Sequence, residues 1–156
     1  MEVLDSGARR EFETGAVRDM SEGKGRCDLL PLDVVALVIH SEVVEHIELF
    51  KQRGGNPKHI IDAISEFCKE EKIDVHTAIL EASIQFEDGA KKYGENNWQK
   101  GMPASVYIDS GTRHYLKHRR GDVDEPHNRA FVWNMLTAFW TVKNKPELNN
   151  YCIGKD

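Results

Sequence analysis

The stretch "PLDVVALVIHSEVVEHIELFKQR", Pro31 to Arg53, decides the fold class. Val35, Val38, Ile39, Val43, Ile47 and Phe50 recur along it at mostly three- and four-residue steps, which line up one face of an α-helix. Pro31 suits a first helical turn, where the missing N–H has no intrahelical partner in any case. The spacing predicts one helix over 32–53. It is closed by "RGGNP", whose glycines permit a left-handed cap and whose proline cannot continue the helix.

Working outward, the same period returns. Ile60, Ile61, Ile64 and Phe67 stripe a second helix over 58–71. Asp74 caps a third, in which Val75, Ala78, Ile79, Ala82 and Phe86 share a face up to Tyr93 and the stop at Gly94. A fourth follows Pro103 and ends at Gly121, and a fifth spans about 126–143 after the turn "DVDEPH". Nothing alternates apolar and polar over a strand's length, so the expected architecture is all-α with about five helices. Residues 1–30 read as an irregular, Gly-rich charged arm, 31–145 as a single helical domain, and 146–156 as a loose end.

The chain has 156 residues, enough for one domain with a real core. A net charge of −5 argues against a general nucleic-acid or membrane-surface binder, which would favour a basic excess. It leaves room for a small anion held by local cations. Cys27, Cys68 and Cys152 form no CxxC pair, so neither a disulfide framework nor a zinc knuckle is indicated. With no apolar signal segment and no run near the ~20 apolar residues of a membrane span, a cytoplasmic location is expected.

Chemistry concentrates in three places. "RDMSEGKGRCDLLP", Arg18 to Pro31, sets Lys24 between two glycines with Arg18 and Arg26 nearby. It is not a P-loop, because Gly25 rather than Ser or Thr follows the lysine. Glycines let backbone approach a ligand and the three cations suit phosphate, but a solvated tail has the same composition. In "FEDGAKKYGENNWQKG", Glu87 and Lys91 share a helix face, as a surface ion pair or as part of a site. Lys91, Lys92, Tyr93, Asn97 and Trp98 crowd one helix end, where cations are at home electrostatically and where an aromatic beside amide and lysine groups also suits a nucleotide.

The densest region is "IDSGTRHYLKHRRGDVDEPHNRAFVWN", Ile108 to Asn134. Asp109 and Arg113 lie four apart, as do His114 and His118, while His127 and Asn134 share a face of the fifth helix. Mg²⁺ takes oxygen ligands and leaves positions to water and phosphate, so Glu87, Asp109 and Asp124 are the candidate metal ligands. Glu42, Glu45 and Glu48 read as a solvated face of the first helix and stand as reserve ligands.

The blocks "TGAVRDMSEGKGRCDLLP", "GAKKYGENNWQKGMP" and "DSGTRHYLKHRRGDVDEPHNRAFVWN", in this order, resemble the phage-associated dATP/dGTP diphosphohydrolase family, related to the all-α MazG-like pyrophosphohydrolases. The blocks cover Thr14 to Pro31 and about Ile79 to Asn134; Val34 to His76 carries no block of the pattern. Ala130 stands where relatives often carry a second histidine. The resemblance implies a MazG-like helical bundle that hydrolyses purine deoxynucleoside triphosphates (dGTP, dATP) to the monophosphate and pyrophosphate with Mg²⁺ or Mn²⁺. It also implies a homo-oligomer, dimer or tetramer, with shared sites, acting in the infected host's cytoplasm if phage-encoded. The alternative is a binder on the same scaffold that sequesters the nucleotide without turnover.

The expected catalytic set is Glu87, Asp109 and His127. Substrate contacts are expected from Arg18, Lys24, Arg26, Lys91, Lys92, Tyr93, Asn97, Trp98, Arg113, His114 and Asn134.

Overall fold

The computed structural model describes residues 9–19 and 22–151. Among them are seven α-helices: α1 Leu32–Ile39, α2 Glu42–Gln52, α3 Lys58–Glu71, α4 Val75–Tyr93, α5 Asn97–Lys100, α6 Ala104–Arg120 and α7 His127–Asn144. Two short strands, β1 Arg9–Glu11 and β2 Val17–Asp19, pair antiparallel. The fold is all-α apart from that hairpin.

The helix expected over 32–53 is two helices. His40 takes the left-handed conformation (φ 54) and closes α1, and Ser41 starts α2 by accepting the Val44 N–H at 3.2 Å. Serine bonds neighbouring backbone groups better at a cap than inside a helix, and here its hydroxyl also meets Tyr115 Oη at 2.7 Å. Periodicity runs through the break because both halves turn apolar faces to the same core. Leu32 and Ala36 are buried on α1, and Val43, Val44, Ile47 and Phe50 on α2.

The core joins these faces to Ile60, Ala63 and Phe67 of α3, Ala78 and Ala82 of α4, Tyr107, Ile108 and Tyr115 of α6, and Phe131 and Met135 of α7. α6 and α7 form the principal antiparallel pair, α2 and α3 a second, and α4 lies along α7. Gly111 sets the α6–α7 approach: a Cβ there would stand 2.7 Å from Met135 Cε and 3.1 Å from Asn134 Cβ.

Both ends depart from the sequence expectation. Residues 9–19 are not irregular, because the hairpin is tied to the bundle: the Asn97 amide bonds Val17 in both directions, and Thr14 Oγ1 donates to Gly101 O. Residues 146–151 are held too. Asn150 accepts the Ser105 N–H at 3.0 Å, Asn149 donates to Gly54 O at 3.0 Å, and Tyr151 packs edge-on against Phe50. Cys152 lies outside the described residues.

Candidate nucleotide site

A cavity of about 510 Å³ opens between the hairpin, the C-terminal end of α4, α5, the middle of α6 and the first turns of α7. That volume lies within the usual range for small-molecule sites. Each wall has a local cause. α4 brings Phe86, Gly89, Ala90, Lys92 and Tyr93 to the cavity along one helical stripe. α6 contributes Asp109, Ser110, Arg113, His114 and Lys117 at the three- and four-residue steps that share a face. The hairpin lays Arg10 directly opposite Arg18, so both side chains leave the same face of the strand pair and enter the cavity.

Arg113 pairs with Asp109 and Lys92 with Asp19, while the other cavity cations are less well neutralised. Arg18 is half-buried, with Nη2 donating to Ser110 Oγ at 3.3 Å and Asn134 Oδ1 at 3.5 Å, and its guanidinium sits 5.8 Å from the Trp133 ring centre. No carboxylate pairs with it among the described residues. Burial pushes its pKa down, chiefly by desolvation, with neighbouring Arg10 adding to the shift. The Nε atoms of Arg10 and Arg113 are buried without a hydrogen-bond partner. Lys24 and Lys117 complete the ring. Such a group of desolvated cations has its lowest energy with a polyanion between them.

A neighbouring wall is aromatic. Phe86, Trp98 and Trp133 meet at ring distances of 5.3 and 5.8 Å, Trp140 backs Trp98 at 5.0 Å, and Gln85, Asn97 and Asn134 bring amides. A base can stack on such a surface while amides read its edge.

At the mouth, Asp124, His127 and His114 form a chain: His127 Nε2 to Asp124 Oδ1 at 2.7 Å, and His127 Nδ1 to His114 Nδ1 at 2.8 Å. The His127 bond holds the Asp124 carboxyl below its usual range, so Asp124 is an acceptor and His127 Nε2 carries the hydrogen. With both rings neutral, His114 Nδ1–H then donates to His127, and His114 Nε2 keeps a lone pair. Burial depresses the His114 pKa to about 3, aided by His127, so the ring is neutral near pH 7. Glu125 lines the same mouth. Its carboxyl is pushed up by burial and has no ion pair among the described residues.

The structure brings together Arg18, Lys24, Lys92, Tyr93, Asn97, Trp98, Asp109, Arg113, His114, Asp124 and Asn134 from the sequence expectation, with buried His127 directly behind. Several are engaged structurally. Asn97 is occupied by Val17, and Tyr93 and Lys92 meet Asp19 at 2.7 and 3.5 Å. Asp109 Oδ1 accepts from Arg113 and from the Cys27 N–H, both at 2.7 Å, and so clamps the loop before α1 onto α6.

Others stay outside. Glu87 pairs with Lys91 at 3.4 Å, with both side chains about two-thirds exposed, so α4 turns neither toward the cavity. Asp88 faces inward instead and holds Arg129 of α7 at 2.7 Å. Arg26 is bound bidentately to Asp28, and His118 pairs with Glu71 across to α3. Glu48 caps α1 through the Leu32 N–H, and Glu42 and Glu45 are exposed.

Sequence reasoning missed Arg10, Asp19, Gln85, Ser110, Lys117, Glu125 and Trp133. Ser110 and Lys117 carried a signal, since they sit at helical steps from Arg113 and His114. Arg10 had none without the strand register.

The family model for dATP/dGTP diphosphohydrolase, N-terminal, matches residues 55–151. The chain belongs to that family. The diphosphohydrolase match takes in α3, which the sequence blocks left out, and every helix that walls the cavity; the Arg10 and Arg18 hairpin and Lys24 precede it. Neither the curated proteins nor the solved structures give a match. Among the described residues no helix is long and apolar enough to cross a membrane.

Proposed function

We propose that the protein hydrolyses purine deoxynucleoside triphosphates, dGTP and dATP, to the monophosphate and pyrophosphate with Mg²⁺ or Mn²⁺. The observation that carries this reading is the half-buried group of Arg10, Arg18 and Arg113, of which Arg113 alone has a carboxylate partner (Asp109) among the described residues, beside an aromatic wall in a chain of the diphosphohydrolase family.

The base stacks against Trp98 and Trp133. Arg10, Arg18, Lys24, Arg113 and Lys117 take the β- and γ-phosphates, where charge develops as pyrophosphate leaves. Water attacks the α-phosphorus, the bond to the α–β bridging oxygen breaks, and the leaving group departs against the arginines. His114 Nε2 accepts a hydrogen bond from that water, with His127 and Asp124 fixing its tautomer.

The donor chemistry at the mouth fits a divalent cation. Glu125 is a half-buried carboxylate with no ion pair among the described residues, and the groups His114, Glu125, His127 and Asp122, Asp124, His127 each gather ligand atoms within 4.8 Å. Glu125 and Asp124 would hold it, which leaves the His114 Nε2 lone pair to the water. The ion supplies phosphate neutralisation and a more acidic water. Oxygen donors beside imidazole suit Mn²⁺ at least as well as Mg²⁺.

Exposed Val34, Leu37 and Val38 on α1 and Leu80 and Ile84 on α4 supply apolar surface for a second copy, in keeping with a homo-oligomer.

Pyrophosphate release from dGTP and dATP with Mg²⁺ or Mn²⁺, against dCTP and dTTP, tests the reading. Binding of dGTP without release identifies a sequestering protein instead.

A further inference from the structure

A second group of metal-ligating side chains lies on the other helical pair, apart from the cavity. His46 comes from the middle of α2, and His59 and Asp62 come from the first turns of α3, three residues apart on one face. One ring nitrogen from each histidine and one Asp62 oxygen all lie within 4.8 Å of one another. His46 Nδ1 stands 4.0 Å from Asp62 Oδ2, too far for a hydrogen bond.

The histidines are short of partners. Nδ1 of His46 and Nδ1 of His59 are both buried without a hydrogen bond, and His59 as a residue is only 9% exposed. Two buried imidazole nitrogens left unsatisfied on facing helices are costly unless something accepts their lone pairs. Besides Asp62, the Glu42 and Glu66 carboxylates act on His46, while Lys58 and Arg53 lie near His59.

We infer that His46, His59 and Asp62 form a binding site for a divalent transition metal of the zinc class, which clips α2 to α3. Two imidazoles and one carboxylate are a ligand set zinc takes, with a fourth position left to water. The donor set is richer in nitrogen than Mg²⁺ prefers, which separates it chemically from the oxygen-rich cavity mouth. The site does not rest on nucleotide hydrolysis.

Isothermal titration of Zn²⁺ into the metal-free full chain tests it, alongside His46→Gln, Asp62→Asn and the pocket variant Asp124→Asn. The expected result is that His46→Gln and Asp62→Asn each lose one equivalent of Zn²⁺, or bind it at least tenfold more weakly, while Asp124→Asn keeps that equivalent. Asp62 is half exposed, so its variant should fold, and circular dichroism checks this. Co²⁺ should give a visible absorption band in the wild type that both variants lose. Equal Zn²⁺ stoichiometry and affinity in wild type, His46→Gln and Asp62→Asn overturns the assignment, whatever the nucleotide assay gives.

Discussion

The side-chain amide of Asn97 pairs with the backbone of Val17 in both directions, accepting its N–H at 2.7 Å and donating to its carbonyl at 2.8 Å. Asn97 therefore acts as one more strand residue beside β2, and it sets where the neighbouring Arg18 enters the cavity. Asn97→Ala leaves two backbone groups unpaired, a loss of about 1–3 kcal/mol in hairpin docking. The expected outcome is a lower Tm and a raised KM with kcat less affected. Thermal melts and steady-state kinetics check it, and Asn97→Asp, which cannot donate, should restore little.

Arg18 is a half-buried, desolvated cation with no carboxylate partner among the described residues, so stability and function pull in opposite directions there. Removing it relieves desolvation. Arg18→Met should melt at or above the wild-type temperature while its KM for dGTP rises at least ~10-fold, the loss of a charge-assisted phosphate contact. A fall in Tm with unchanged KM would make Arg18 a purely structural residue.

Lys24 and Arg26 separate cleanly. Lys24 lines the cavity, whereas Arg26 is held bidentately by Asp28 through Nε and Nη2. A phosphate contact of roughly 1.5–3 kcal/mol predicts that Lys24→Ala lowers kcat/KM about 10–150-fold. The effect should shrink at high salt, since the lysine is exposed. Arg26→Ala should act less, through the loop it braces.

Glu87→Gln and Lys91→Ala should keep turnover within about twofold of wild type, because an exposed i,i+4 pair contributes only ~0.3–0.5 kcal/mol. Asp88→Asn, by contrast, breaks the 2.7 Å pair to Arg129 that joins α4 to α7, and should lower Tm.

His114 makes stability fall in acid. Its pKa is about 3 in the fold against an ordinary 6.5, so between those values the unfolded chain binds the extra proton. Stability from the neutral ring is fully present above pH 6.5. It is lost on acidification toward pH 3, at about 1.4 kcal/mol per pH unit for one proton. Chemical denaturation from pH 7 to 4 should show that slope, and His114→Gln should flatten it.

The helices were legible because their causes are local. Asp74 accepts the Thr77 N–H as the cap read from the sequence, Gly94 and Gly121 stop α4 and α6, and apolar steps of three and four mark the buried faces. The break at His40 was not, because an apolar stripe does not register a single left-handed residue when both halves bury the same face. Phase separates Glu87 from Asp88. A helix turns about 100° per residue, and only the packing of α4 on α7 fixes which carboxylate meets a partner.

By itself, then, the sequence determined the helical class, most helix ends and the cationic, aromatic and histidine chemistry of the site, since these follow from composition and short-range spacing. Only the tertiary structure decided which of those groups share a cavity. Arg10 and Arg18 meet across a hairpin too short to show a period, Asn97 reaches back to Val17, and Asp109 reaches back to Cys27. Such contacts close long loops, and their energy comes from burial and pairing that no local window contains.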